Sequence, residues 1–230
     1  MPTIFLDDIG ISYFDKKKET VVFNHFSHTF PSNKINVILG KSGCGKTTIL
    51  KAIAGLKIYD GTIYYDGKDY DDVPTNKRNL SLVNQDYSLY SHITVFDNIA
   101  FPLKVIGCSA KEIKDRVNEI AELFELTPCL NVKPRYLSGG QQQRVAIARA
   151  MIKRPDLVLF DESLSNIDVR LREKLRSKIK EAVVQFGCTA IYVTHDYKEA
   201  IAIGDTISVI DGDNVIYFDN PNDIANSTNE

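Results

Sequence analysis

The sequence predicts an α/β fold: a mainly parallel β-sheet core with an antiparallel β layer at its N-terminus and an inserted block of helices. Three observations carry that reading. The first thirty residues alternate with period two and are rich in β-branched and aromatic types. From about residue 150 onward, short apolar runs alternate with amphipathic stretches, the pattern of strands joined by crossover helices. Between roughly 86 and 150 the strand signal fades and helical periodicity replaces it. The 230 residues amount to about one and a half average domains, so a core carrying an insertion is the natural arrangement.

Taken in order, Ile4, Leu6, Ile9, Ile11 and Tyr13 form one strand pattern and Val21, Phe23, Phe26 and Phe30 a second. The polar run Lys16 to Glu19 reads as the tip between them. Ile35 to Leu39 is a continuous apolar run, as a buried strand requires. A glycine-rich turn and a helix with Ile49, Leu50 and Ile53 follow, and Gly55 falls where the helix should be capped. Thr62 to Tyr65 with Asp66-Gly67 signals a hairpin. Val95 to Val105 and Lys111 to Phe124 read as helices. After the block come strand 157–160, helix 170–186, strand 189–193, a short helix near 198–203, and strands 206–210 and 215–218. From Asn220 the chain looks loose.

Composition bounds the function. Twenty-eight basic against 30 acidic residues leave a formal charge of −2, which argues against nucleic acid held by bulk charge. No apolar stretch reaches the length of a membrane span, and the N-terminus lacks the features of a secretory signal. Cys44, Cys108, Cys129 and Cys188 show no paired spacing, so reduced thiols in a cytoplasmic protein are expected.

Three segments carry chemistry. Gly40-Lys41-Ser42-Gly43-Cys44-Gly45-Lys46-Thr47, followed by Thr48, joins a strand to a helix and fits G-x-x-x-x-G-K-[ST]. Its glycines let backbone N–H groups curl around a phosphate chain at a helix N-terminus. Lys46 is placed to reach β/γ-phosphates and the Thr47 hydroxyl to hold Mg²⁺. Because Cys44 lies in this loop, alkylating it should block the phosphate site. The run Leu157 to Phe160 ends in Asp161 and Glu162, which sets two carboxylates at the edge of the sheet where α/β proteins bind ligands. Asp161 suits Mg²⁺ and Glu162 suits a general base for water. An apolar run ending in an acid is a common pattern, and the glycine loop upstream gives it weight. Third, Leu137-Ser138-Gly139-Gly140-Gln141 begins a helix, with Ser138 and Gln141 spaced as a capping box. Two glycines in a first turn cost roughly 1 kcal/mol each against Ala, but allow close approach of an anion to exposed N–H groups.

With Thr194-His195-Asp196 added, these segments resemble the ATP-binding cassette (ABC) ATPase family over about residues 3–218. The resemblance implies a P-loop NTPase core (1–85 and 151–230, with the β layer) and a helical subdomain (about 86–150) in a single ABC ATPase domain. It implies ATP and Mg²⁺ as ligands and a head-to-tail pair of ATPase subunits, a homodimer here, that traps ATP between the P-loop of one and Ser138, Gly139, Gly140 and Gln141 of the other. Gln85 matches the Q-loop glutamine, which senses Mg²⁺ and the attacking water. His195 matches the switch histidine. Ser165 to Asp168 matches the D-loop, with Asp168 at the dimer interface. Tyr13 matches the aromatic that stacks on adenine; on its own it reads as a strand aromatic packing on the core.

Asp86 to Val95 and Leu164 to Asp168 are similar to the ATPase subunits of importers for sugars, polyamines or ferric iron. Ser91 and Ser163 stand where those subunits commonly have proline, and Asn84 where they commonly have Phe. The implied partners are integral membrane permease subunits and an extracytoplasmic solute-binding protein, and no nucleic acid. The implied location is peripheral, on the cytoplasmic face of the membrane. The alternative is a non-transport cassette of the cell-division or mechanotransmission type. The sequence ends at Glu230 without the C-terminal β domain common in sugar-type ATPases, so regulation by that route is not expected. His25 and His28, three apart on a strand, point to opposite faces. With no acidic companion nearby, they are not read as a metal site.

Overall fold

A computed structural model describes residues 1–15, 18–164 and 168–224. The tip residues Lys16 and Lys17, the segment Ser165 to Ile167 and the end 225–230 lie outside the described residues.

Two sheets stack. The first is antiparallel, in the order β2 (Lys18–Phe30), β1 (Ile4–Asp15), β4 (Asp60–Tyr65), β5 (Lys68–Asp69). The second has six strands, in the order β10 (Asn214–Phe218), β9 (Thr206–Asp211), β3 (Ile35–Leu39), β8 (Thr189–Thr194), β7 (Leu157–Asp161), β6 (Leu80–Val83). It is parallel except for β10, which returns antiparallel beside β9. At the β4–β5 turn Asp66 and Gly67 have φ of 48° and 74°, the two positive values that a two-residue hairpin turn demands.

Strand alternation divides the core in two. Leu157, Leu159, Ile191 and Val193 face the antiparallel layer, where they meet Phe23, Phe26 and Phe30 and helix α1 (Lys46–Ile53). Their chain neighbours Val158, Phe160, Ala190 and Tyr192 face the other way, as a period of two requires. On that side they meet α5 (Val169–Phe186), α6 (Tyr197–Ile203) and the helices of the inserted block: α2 (Val95–Val105), α3 (Ala110–Leu123) and α4 (Gly139–Met151). The block thus shares one continuous apolar cluster with the sheet. Each fully buried Phe contributes about 1.5–3 kcal/mol relative to exposure, so the three phenylalanines of β2 go far toward fixing the β layer on the core.

Four parallel strands, β3, β6, β7 and β8, end at one edge of the sheet, and the chain leaves each of them into a loop that carries a candidate site residue. Among the described residues no helix is long and apolar enough to cross a membrane.

The histidine expectation needs one correction. His25 does have an acidic companion: its Nδ1 lies 2.8 Å from Asp8 Oδ1. The cause is an irregularity in β1–β2 pairing between Leu6 and Ile9, where Asp8 takes a φ of 55° and turns toward β2. His28 packs against Phe30 and lies 2.8 Å from Ser208 Oγ, and burial lowers its pKa to about 4.

Candidate active site

The glycine loop leaves β3 and ends in α1, as the sequence indicates. Gly45 is the residue before the helix and has φ of +102°, a conformation that strongly favours glycine. A Cβ there would also meet the Phe23 ring at 2.5 Å. Lys46 is buried at 4 % exposure, and its Nζ donates to the carbonyls of Gly40 (2.8 Å) and Lys41 (2.7 Å). The ammonium therefore lies along the inside of the loop.

Thr47 Oγ1 donates to Asp161 Oδ1 at 2.7 Å. Burial pushes the Asp161 carboxyl above the usual carboxylate range, opposed by that hydroxyl bond. Glu162 follows at φ +44°, a strained value for a non-glycine residue. Its N–H donates to Val193 O at 3.2 Å, and its Oε1 lies 3.2 Å from His195 Nδ1. The strand ends β7 and β8 thus bring Asp161, Glu162 and His195 beside the loop.

A cavity of about 440 Å³ is lined by Tyr13, Val22, Ser42, Gly43, Gly45, Lys46, Thr47, Thr48, Gln85 and Glu162; Asp161 and His195 do not line it, but touch the lining residues Thr47 and Glu162. Tyr13 is not a core residue. It is 42 % exposed, its hydroxyl is 3.2 Å from Thr48 Oγ1, and Lys57 Nζ lies 3.8 Å from its ring centroid. Cys44 is half-buried within the loop, its Sγ 2.7 Å from where a Cβ on Gly40 would sit. A maleimide is expected to abolish nucleotide binding, with Mg-ATP protecting; equal labelling with and without nucleotide would contradict that.

Ser138 to Gln141 do not line this cavity. The capping box forms as the spacing indicates: Ser138 Oγ accepts from Gln141 N at 3.3 Å, and Gln141 Oε1 accepts from Ser138 N at 2.9 Å. Ser138 and Gly139 are exposed, and nothing lies within 4 Å of a Cβ placed on Gly139. Asp168 caps α5, accepting from Leu171 N at 2.9 Å, and is likewise outside the cavity.

The structure adds a residue that periodicity could not reveal. Arg149, in the last turn of α4, donates to the carbonyls of Tyr87 (2.9 Å) and Ser88 (2.8 Å). Both residues have left-handed backbones, φ 62° and 42°. Asn98 holds the same loop from α2, accepting from Tyr90 N at 2.8 Å and donating to Tyr90 O at 3.0 Å. Gln85 is therefore carried on a loop tied to α2 and to the helix that begins at the Ser138 cap.

A family model described as ABC transporter matches residues 23–165, more than half of the chain. The chain belongs to the ABC transporter family. Among curated ABC relatives, the trehalose/maltose import ATP-binding protein MalK of Thermococcus litoralis is 47 % identical over 199 residues, covering 84 % of this chain and 54 % of the relative. The Fe(3+) ions import ATP-binding protein FbpC of Escherichia coli O157:H7 is 41 % identical over 204 residues, covering 88 % and 59 %. The chain spans just over half the length of these two relatives. Among solved structures, the dimeric post-hydrolysis state of the ATP-binding cassette MJ0796 bound to ADP and Pi superposes with a TM-score of 0.84 at 28 % identity, covering 94 % of this chain and 97 % of that one.

Proposed function

We propose that this chain is the ATP-hydrolysing nucleotide-binding subunit of a solute importer, working at the cytoplasmic face of the membrane through separate permease subunits. The observation that carries the reading is the single cavity in which a glycine loop with Lys46, the Thr47–Asp161 pair, Gln85 and Glu162 converge. Importer identity is supported by the relatives for trehalose/maltose, Fe(3+) ions and spermidine/putrescine. An extracytoplasmic solute-binding protein is the further partner this reading implies.

In the proposed mechanism the adenine stacks on Tyr13. Backbone N–H groups of 40–48, with Lys46, hold the phosphates. Thr47 and Asp161 suit Mg²⁺ because they present two adjacent oxygen donors, a hard set at 2.7 Å from each other, and Gln85 would complete it. When bound, Mg²⁺ would neutralise charge building on the phosphate oxygens. Glu162 takes a proton from the attacking water, and His195, touching Glu162, contacts the γ-phosphate. Residues 1–85 and 151–230 form the catalytic core of a single domain, and 86–150 the helical part that presents Ser138, Gly139, Gly140 and Gln141.

All four lie off the cavity of their own chain, and Ser138 and Gly139 are exposed, so this helix start suits the nucleotide of a second copy packed head to tail, with Asp168 at the interface. Hydrolysis should then need two chains. The specific Mg-ATPase rate is expected to rise with protein concentration at dilute protein and then plateau. A specific rate independent of concentration from the dilute end would contradict the shared site.

A further inference from the structure

Glu199 sits in the first turn of α6 and is only 4 % exposed. A buried carboxylate is costly unless its oxygens are matched by donors. Here both are: Oε1 accepts from the Tyr192 hydroxyl at 3.1 Å and Oε2 from the Thr194 hydroxyl at 2.6 Å. Thr194 Oγ1 in turn accepts the N–H of Asp196 at 3.0 Å. Asp196 Oδ1 accepts the N–H groups of Lys198 (2.8 Å) and Glu199 (3.1 Å), and its Oδ2 lies 3.3 Å from Arg172 Nη1.

These bonds close a ring that leaves Glu199 by its side chain, passes through Thr194 and Asp196, and returns to the Glu199 backbone. The residue enclosed between Thr194 and Asp196 is His195. Its own side chain is 54 % exposed, so the aim of the imidazole depends on the backbone that carries it. We propose that Glu199 is a positioning residue for hydrolysis: it holds the Thr194 side chain before His195 and, through it, the Asp196 N–H after His195, and so holds the imidazole against Glu162. The inference rests on the reading of His195 as a group that acts at the γ-phosphate. Glu199 itself touches neither the cavity nor the reacting atoms.

Glu199→Gln keeps the shape but offers an amide N–H₂ where one hydroxyl needs an acceptor. Thr194→Val removes the hydroxyl, and Thr194→Ser keeps it. Three measurements are made on each purified full chain: kcat and KM for ATP, melting temperature, and the imidazole ¹H–¹⁵N spectrum, which is simple because the chain has four histidines. Misplacing a reacting group costs up to about 100-fold, so a fall in kcat of about 10-fold or more is expected in Glu199→Gln and Thr194→Val, with KM changed less than about twofold. Only the His195 resonances should move. Thr194→Ser should restore the rate that Thr194→Val loses, and Glu199→Gln combined with Thr194→Val should be no slower than Thr194→Val alone.

Unchanged kcat and unmoved His195 resonances in both variants would overturn the inference. So would a fall in kcat accompanied by an equal rise in KM, a lowered melting temperature and movement of all four histidines, which marks a purely structural residue. His195→Ala separates the two levels. If it retains full kcat, the reading of His195 fails, and the spectra still decide whether Glu199 holds the ring.

Discussion

Glu162→Gln is expected to lower ATP hydrolysis by about 100- to 1,000-fold, the range a positioned general base supplies, while ATP binding stays within a few-fold of the original. The amide preserves size and its carbonyl can still accept a hydrogen bond, but it cannot take a proton from water. The geometry makes this a clean substitution. Glu162 is held by its backbone, through its N–H to Val193 O at 3.2 Å and a φ of +44° imposed by the strand end. The substitution alters the side chain that approaches His195 at 3.2 Å. The check is phosphate release at saturating Mg-ATP beside equilibrium nucleotide binding. An unchanged rate would refute Glu162 as the base.

Lys46→Ala is expected to act on the other quantity, binding. The Lys46 ammonium is the buried cation of the loop, held by the Gly40 and Lys41 carbonyls. A hydrogen bond to a charged group contributes about 1.5–3 kcal/mol, which is about 10- to 100-fold in affinity. Calorimetric titration with Mg-ATP should show a loss of that size, and hydrolysis should fall with it. A change below about twofold would mean that the phosphates do not lie in the loop. The two variants together divide the site: Lys46 governs whether nucleotide is held, and Glu162 whether held nucleotide reacts.

Much of this was legible in the sequence, and the physics explains which parts. Period-two alternation marks the N-terminal strands and continuous apolar runs the buried parallel ones, and the split of Val158 and Phe160 from Leu157 and Leu159 between two clusters is why such a run is apolar on both faces. The glycine loop and the Ser138 cap are local arrangements, fixed within eight residues of chain, so spacing alone reveals them. Long-range placement is different. Tyr13 and Thr48 are 35 residues apart and meet through the stacking of two sheets, which no periodicity encodes. Arg149 reaches the carbonyls of Tyr87 and Ser88 across about 60 residues, and carbonyl acceptors carry no side-chain signature. The Asp8–His25 contact was missed because a strand irregularity turns Asp8 out of the simple alternation. The ring around His195 is hidden for another reason: an acid in a helix's first turn is ordinary in sequence, and only burial and two hydroxyl donors set Glu199 apart.

The central claim is that one chain holds the nucleotide and a second copy completes the site. The mass of the Glu162→Gln chain in solution tests it most directly, because nucleotide that is bound but not hydrolysed should trap the pair. Light scattering during size-exclusion chromatography should show about one chain mass without nucleotide and about two with ATP, the shift disappearing when Lys46→Ala is added. A monomer at every concentration of saturating ATP would contradict the claim.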